Sequence, residues 1–259
     1  MRFKYYLIDI EGTLVKDKTF APVEGAPEWL AGIAESGGEY FLVTNNTTHT
    51  PDELYKLMRE NGFDVSPELI FSCISSGGQY LLESGAKTVY VIGSDAIIRH
   101  LTDIGIEVRY SEDVDAVVVG LDENLTYDKL RAATTALVRN DATLCAMHKN
   151  RLYVDKQGRI SFSSGPVAVA LEYASQKEAY IAGKPSKKFF QSFLDRWGCS
   201  PEEVLMVSDD PFSDLRGAKQ MGMKTCFVAS GSYPEPGVLN KLEKEYQPDY
   251  IYDDVTFID

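Results

Sequence analysis

The sequence predicts an α/β protein with a largely parallel sheet, interrupted by a second α/β domain. Strand-like and helix-like segments alternate along the chain, which is typical of parallel sheets whose crossovers are helices. The chain has 259 residues, 44% of them hydrophobic, enough to bury the core of one large domain or two modest ones. Polar and acidic motifs follow several of the buried strands, and open α/β sheets bind ligands at those strand ends.

The first part of the chain supplies alternating elements with clear boundaries. We predict a strand at residues 5–10, a helix over 26–35 and a second strand at 40–44. Thr50 begins the next helix with a capping-box pattern, and Gly62 ends it.

The middle of the chain carries its own set of elements, after which the first pattern resumes. Strands are predicted at residues 89–92 and 116–119, with helices at 96–101 and 127–138. The pattern then continues with a strand at 180–182, a helix at 186–197, a strand at 204–207, a helix to 221 and a strand at 225–228. The simplest organisation is a discontinuous core of residues 1–74 and 179–259, interrupted by a domain of residues 75–178.

Composition narrows the class of partner. The net charge of −13 argues against nucleic acid and anionic membranes as partners, because both are bound through clustered Lys and Arg. A small phosphorylated substrate is still allowed, since the local charge of a pocket can oppose the global sign. We expect no targeting signal and no membrane span. The four cysteines share no metal or disulfide spacing, so we expect reduced thiols in a cytoplasmic protein.

Asp9 and Glu11 close the first strand within the segment Asp-Ile-Glu-Gly-Thr. Both acids can reach a site beyond the strand end if the chain turns at Gly12. A carboxylate there can act as a nucleophile, and its neighbour can act as an acid and base. The alternative is a strand followed by a solvated acidic turn.

Two further strand ends offer groups that bind phosphate. Thr44 and Asn45 end the second strand, and a hydroxyl with exposed amides can bind phosphoryl oxygens without adding charge. Lys184 stands between a strand and a helix, where its ammonium can neutralise a phosphate. Taken alone, Thr44 and Asn45 are also typical of an ordinary turn. Lys184 alone is equally typical of an exposed lysine between a strand and a helix.

A cluster of acids follows the strand at residues 204–207. Asp209, Asp210 and Asp214 would repel each other unless a cation or amines neutralised them. Asp214 also suits the first turn of the next helix, so helix capping is an alternative for it. Asp209 stands at the strand end, where capping explains it poorly.

These four motifs, in this order, resemble those of the haloacid dehalogenase superfamily. The resemblance implies a Rossmann-like core with an inserted α/β cap of the C2 type. The cap-sized insert between the second and third motifs, with Thr-Asn-Asn at 44–46 and Gly-Lys-Pro at 183–185, is similar to the NagD-like branch. The runs at 148–151, 165–174 and 183–190, in this order, are similar to those of the subgroup that holds phospholysine phosphohistidine inorganic pyrophosphate phosphatase.

The resemblance implies a Mg²⁺-dependent phosphatase that forms an aspartyl-phosphate. It makes Asp9 the nucleophile and a metal ligand, and Glu11 the acid and base with its carbonyl on the metal. Thr44 and Asn45 bind phosphate, and Lys184 neutralises charge and binds phosphate. Asp209 binds Mg²⁺ directly, Asp214 holds the metal through water or orients its shell, and Asp210 is a further candidate for the outer shell. Two positions depart from the family pattern: Glu11 replaces the usual Asp, and Ser208 stands where Gly is common.

The insert carries the candidates for substrate choice. In the NagD-like branch the corresponding cap segment faces the active site, which makes His148 and Lys149 candidates for contact with the leaving group; a polar surface turn is the alternative. The expected substrate is a small phosphorylated metabolite. The alternatives are hydrolysis of pyrophosphate or N-phosphoryl compounds, or a decayed scaffold acting as a binding protein. A homodimer is compatible with the resemblance, because caps of this class often pair.

Overall fold

The computed structural model describes residues 3–16, 19–154 and 158–258. Its contacts divide the chain into two compact units. The first unit comprises Met1–Thr44, Asp52–Phe71 and Lys184–Asp259, and the second comprises Asn45–Pro51 and Ser72–Gly183. Compared with the predicted division, residues 45–51, 72–74 and 179–183 group with the second unit.

The predicted elements occur in the predicted order, and further elements, among them α3 and α6, lie between them. The chain begins with β1 (Tyr5–Asp9), α1 (Ala26–Glu35), β2 (Glu39–Thr44), α2 (Pro51–Glu60) and β3 (Ile70–Ser72). It continues with α3 (Cys73–Glu83), β4 (Thr88–Ile92), α4 (Asp95–Asp103), β5 (Glu107–Val108), β6 (Ala116–Val119), α5 (Tyr127–Arg139), β7 (Thr143–Ala146), β8 (Leu152–Val154), β9 (Ile160–Phe162), α6 (Ser164–Ser175) and β10 (Tyr180–Ile181). It ends with α7 (Lys187–Trp197), β11 (Val204–Ser208), α8 (Asp214–Gln220), β12 (Lys224–Val228) and β13 (Tyr250–Tyr252).

The first unit is built on a sheet in the order β13-β12-β11-β1-β2-β3. Strand β1 lies between β11 and β2 and pairs in parallel with both. Apolar side chains cover both faces of the sheet, as expected for parallel strands. Ile8 and Leu42 belong to the cluster on one face, while Leu7 and Val43 belong to the cluster on the other. This order brings the carboxyl ends of β2, β1 and β11 to neighbouring positions at one edge.

The second unit has a sheet in the order β10-β7-β6-β4-β5 and a separate antiparallel pair, β8-β9. Neighbouring strands of the larger sheet pair in parallel, and buried clusters cover each of its faces. The fold class predicted from the sequence, an α/β protein with parallel sheets and a second α/β domain, is confirmed. Among the helices of the described residues, none has the length and apolar character needed to cross a bilayer.

The strand predicted at residues 180–182 was expected to return the chain to the first sheet, and this expectation was wrong. Strand β10 pairs with β7 of the second sheet, with Tyr180 opposite Cys145. The Tyr180 ring stacks on Tyr80 of α3 at a centroid distance of 3.6 Å. This contact and the pairing with β7 hold the strand in the second unit.

Candidate active site

The site of the first unit forms where three neighbouring strands end. Asp9 ends β1 opposite Val43 of β2, and Ser208 ends β11 one register step beyond the pair Ile8–Val207. Asp9, Thr44 and Asp209 therefore lie at the same edge of the sheet. Each is nearly inaccessible, with 7%, 1% and 3% of its surface exposed. Buried polar groups of this kind need partners, and the contacts around them supply those partners.

Lys184 provides the cation of the site. Its Nζ lies 2.5 Å from Asp9 Oδ1, 2.7 Å from Asp214 Oδ2 and 3.1 Å from the Val43 carbonyl oxygen. The three acceptors match the three hydrogens of an ammonium group. The lysine is only 2% exposed, so its charge acts in a region largely free of water.

The electrostatics of the site show an excess of negative charge. Burial raises the pKa of Asp9 well above its usual value, and Asp214, Asp209 and Glu11 raise it further against the opposing effect of Lys184. Burial alone would lower the pKa of Lys184, but Asp214 and Asp9 outweigh it and the pKa is raised, so the ammonium form persists. The one positive charge of Lys184 therefore faces the negative charges of several carboxylates. A bound cation or a protonated acid would relieve this imbalance.

Glu11 reaches across to the end of β2. The Thr44 hydroxyl donates to Glu11 Oε2 at 2.6 Å. The longer side chain, which departs from the usual Asp of the resembling family, thus has a defined partner. The turn that follows depends on Gly12, whose φ of +82° is readily adopted only by glycine.

The Asp209 carboxylate sits between two glycines. A Cβ placed on Gly12 would lie 2.5 Å from Asp209 Oδ2, and one on Gly231 would meet the same oxygen. The Ser232 amide donates to that oxygen at 2.6 Å, and the Ser230 hydroxyl donates to the Gly12 carbonyl at 2.8 Å. The sequence does not predict that residues 230–232 belong to the site. The signal of this loop is the Ser-Gly-Ser run that follows the end of β12, one more strand end beside the site.

The segment between β11 and α8 is organised by its own polar groups. Asp210 Oδ1 accepts the backbone N–H groups of Phe212 and Ser213, each at 3.0 Å. Ser208 Oγ donates to Asp214 Oδ2 at 2.9 Å. Burial, followed by repulsion from Asp214, raises the pKa of Asp210 to about 6. Asp210 therefore shapes the turn, and its role as an outer metal group stays a prediction.

The donor chemistry of the site can be tested against a divalent metal ion. Among residues 3–16, 19–154 and 158–258, no group of three or more His, Cys, Asp or Glu side chains is arranged to hold one. Asp214 Oδ2 instead accepts from Lys184 and Ser208. The oxygen donors of Asp9 and Asp209 nevertheless suit a hard cation such as Mg²⁺. Burial raises the pKa of Asp9 and the neighbouring carboxylates raise it further, and this excess of negative charge favours a bound cation. The residues present fit the metal in chemistry and charge.

The other sequence-predicted residues belong to the second unit. The Asn45 side-chain amide donates to Asn150 Oδ1 at 3.4 Å. His148 is 4% exposed, and its Nδ1 accepts the Asn150 backbone N–H at 3.2 Å. Lys149 Nζ donates to both carboxylate oxygens of Glu172 at 2.7 Å. These three residues thus have partners within their own unit, and their predicted contacts with phosphate or substrate stay predictions.

Known proteins are similar to this chain over nearly its whole length. The profile of the family described as haloacid dehalogenase-like hydrolase matches residues 6–107, and a second haloacid dehalogenase-like hydrolase profile matches residues 181–257. The chain is 29% identical over 256 residues to an acid sugar phosphatase of Staphylococcus aureus, covering 98% of this chain and 96% of the relative.

Two solved structures extend the comparison. NagD from Escherichia coli K-12 superposes with a TM-score of 0.83 at 25% identity, covering 100% of this chain and 99% of that chain. A glycerol phosphate phosphatase from Mycobacterium tuberculosis, in complex with magnesium, superposes with a TM-score of 0.80 at 25% identity, covering 98% of this chain and 75% of that chain.

Proposed function

Because this chain belongs to the haloacid dehalogenase-like hydrolases and is a phosphatase of their NagD-like branch, we propose that it hydrolyses small phosphorylated metabolites with Mg²⁺ through an aspartyl-phosphate on Asp9. The observation that carries the proposal is the buried Asp9 carboxylate at the end of β1, held by Lys184 Nζ at 2.5 Å. A carboxylate fixed in this way can attack phosphorus with little reorganisation.

The proposed chemistry has two balanced steps. In the first, an Asp9 oxygen bonds to phosphorus, the bond from phosphorus to the leaving oxygen breaks, and that oxygen takes a proton from Glu11. In the second, Glu11 takes a proton from water, the water oxygen bonds to phosphorus, and the bond to Asp9 breaks to release inorganic phosphate. The hydrogen bond from Thr44 at 2.6 Å supports this role by fixing the Glu11 carboxylate.

The remaining residues are proposed to bind charge. Lys184 would bind the phosphoryl group by neutralising its charge, and Thr44 would bind its oxygens, with an amide from Asn45 assisting. Asp9 and Asp209 would bind Mg²⁺ together with the Glu11 carbonyl, and Asp214 would hold the metal through water or orient its shell. The metal, when bound, supplies positive charge that lets the phosphate and the nucleophile meet.

The names of the relatives guide the choice of substrates. One relative is an acid sugar phosphatase and one neighbour a glycerol phosphate phosphatase. The test is a panel of hexose phosphates, glycerol phosphate and p-nitrophenyl phosphate, assayed with and without Mg²⁺. Pyrophosphate and a phosphoramidate belong in the panel as the alternative substrates. If none of these compounds releases phosphate, the proposal is overturned.

Asp9→Asn tests the nucleophile. The amide can neither form the phospho-enzyme nor bind the metal as a carboxylate does, so we expect hydrolysis of p-nitrophenyl phosphate to be abolished. Asp64→Asn is the matched control, since it makes the same chemical change on a side chain that is 91% exposed. Turnover by Asp9→Asn at the level of the control would contradict the mechanism.

Location and assembly complete the proposal. We place the protein in the cytoplasm, which is supported by the free thiols of its four cysteines. We also propose a homodimer, which is supported by exposed apolar residues of α6, among them Val169 and Tyr173.

A further inference from the structure

Ser208 ends β11, and its hydroxyl contacts both Asp210 and Asp214 of the segment that follows. It has no exposed surface. Its Oγ lies 2.9 Å from Asp214 Oδ2, and the backbone N–H of Asp210 points at the same Oγ from 3.1 Å. The hydroxyl therefore links the start of the turn to the first residue of α8. In the resembling family glycine is common here, and glycine could form neither bond.

The direction of these hydrogen bonds is fixed by elementary chemistry. The backbone N–H of Asp210 can only donate, so Ser208 Oγ accepts there. A hydroxyl carries one hydrogen, and the neighbouring carboxylate of Asp214 is an acceptor, so that hydrogen goes to Asp214. Hydrogen bonds to ionised groups are stronger than those between neutral groups. The hydroxyl is thus held from both sides.

The contacts of Asp214 are asymmetric. Lys184 Nζ and Ser208 Oγ both donate to Oδ2, at 2.7 Å and 2.9 Å. A single donor would allow the two carboxylate oxygens to exchange places, because the terminal torsion of Asp is soft. Two donors from different directions fix which oxygen faces them. The other oxygen, Oδ1, is left for a different partner.

We propose that Ser208 is a positioning residue, whose hydroxyl fixes the Asp214 carboxylate so that Oδ1 is presented to the metal or to a water bound to it. The proposal rests on the proposed Mg²⁺-dependent function. It assigns no contact between Ser208 and the substrate. Removing the hydroxyl should weaken Mg²⁺ binding and leave substrate affinity nearly unchanged.

The test measures Mg²⁺ affinity by titration calorimetry on the substrate-free protein, with kcat and KM measured at saturating Mg²⁺. We expect Ser208→Ala and Ser208→Gly to bind Mg²⁺ roughly 10-fold more weakly, the low end of the effect of outer partners on metal affinity. KM should stay within about 2-fold of the wild type, since Ser208 is placed away from substrate. Thr225→Val is the matched control, because the Thr225 hydroxyl likewise joins a carboxylate to a backbone N–H, at Asp249.

A double-mutant cycle separates positioning from simple structural support. In an Asp214→Asn background, Ser208→Ala should change Mg²⁺ affinity little, because the group it orients is altered. Additive effects would overturn the proposal, as would wild-type affinity in Ser208→Ala or a lack of folded protein for both Ser208 variants. If the wild type binds no Mg²⁺, the metal site of the proposed function fails and this proposal fails with it. If the wild type binds Mg²⁺ and only the Ser208 effect is missing, the proposed function stands.

Discussion

At the scale of single residues, Glu11 is the position where the chain departs most from the family pattern in its chemistry. A Glu is longer than the usual Asp and has one more torsion to fix. The Thr44 hydroxyl, 2.6 Å from Oε2, restricts that freedom from the neighbouring strand. Because a general acid must be positioned before its pKa matters, this contact supports the proposed role of Glu11 as acid and base.

Replacing Glu11 with Gln tests that role. We expect turnover to fall roughly 10²- to 10⁴-fold, the range for loss of a positioned acid and base. The phospho-enzyme should accumulate, because water attacking phospho-Asp9 would lack its base, and rapid acid quench can trap it. Asp9→Asn is the control, since it cannot form the intermediate. Normal turnover without accumulation would show that Glu11 is not the acid and base.

The sequence indicates the main site residues because it shows which strand ends carry them. Asp9 and Asp209 follow buried strands, and parallel strands bring such ends to one edge. It does not indicate the partner of each group. The hydrogen bonds of Ser208 and the ion pair of Lys149 with Glu172 depend on contacts that spacing alone does not reveal. Ser208 departs from the glycine that is common at this position, and its hydroxyl forms two hydrogen bonds that glycine could not form.

At the scale of elements, the same polar contact joins neighbouring parallel strands in both units. Thr225 is the second residue of β12, and both its backbone N–H and its hydroxyl donate to Asp249 Oδ2, at 2.9 Å and 3.1 Å. Thr88 of β4 makes the equivalent contacts with Asp115 Oδ2, both at 2.8 Å. Each Asp directly precedes the partner strand, so each pair fixes the register where two strands begin.

The contact at Asp249 predicts a pH-dependent contribution to stability. Burial acts to raise the pKa of Asp249, but Lys219, the Thr225 backbone and Lys224 outweigh it, so the pKa is lowered on folding. The carboxylate therefore stabilises the fold above its unfolded pKa of about 3.9, and this contribution is lost as the pH falls through the lower folded value.

Asp249→Asn should lower the free energy of unfolding at pH 7 by about 1 kcal/mol, the typical net value of a hydrogen bond. Urea unfolding at several pH values measures this, and the difference from the wild type should shrink below about pH 4. Asp64→Asn is the control, because its ion pair with Arg59 is exposed and contributes little. A difference independent of pH would contradict the role of the charge.

The elements that the sequence missed have physical reasons for being missed. Helix α3 contains Gly77 and Gly78, which are poor helix formers, and its start depends on a capping box between Ser72 and Ser75. Helix α6 is apolar on several sides, so it lacks the periodic stripe by which helices are recognised. By contrast α2, with a clear capping pattern and stripe, begins at Pro51 as predicted.

At the scale of the whole molecule, we predict that the second unit sets substrate choice and leaves the chemical step to the first. Replacing His148 and Lys149 together with Ala should change relative kcat/KM across the substrate panel more than turnover of p-nitrophenyl phosphate. Glu172→Gln is the matched control, since it weakens the ion pair of Lys149 without altering either candidate. A uniform loss across the panel would instead indicate structural damage or a catalytic role.

The last prediction concerns assembly and begins from the outer face of α6. Its residues at helical spacing are apolar and exposed: Pro166, Val169, Ala170, Tyr173 and Ala174. Val169 is 53% exposed and Tyr173 is 83% exposed, and β9, which leads into α6, exposes Ile160 and Phe162. Exposed apolar patches of this kind mark interaction sites. A second copy is the expected partner, because chains of net charge −13 repel each other except through uncharged faces, and a two-fold axis pairs one face with itself.

Tyr173→Glu tests this assembly. We expect wild-type protein to sediment as a dimer and the variant as a monomer, because pairing would bring a buried glutamate from each copy into the interface. Tyr110→Glu is the matched control, since Tyr110 also belongs to the second unit and is 81% exposed, yet lies outside α6. It should remain dimeric. Sedimentation velocity across a range of concentrations gives the masses. A wild type that stays monomeric throughout, or a Tyr173→Glu variant that dimerises as readily as the control, would show that α6 is not the interface.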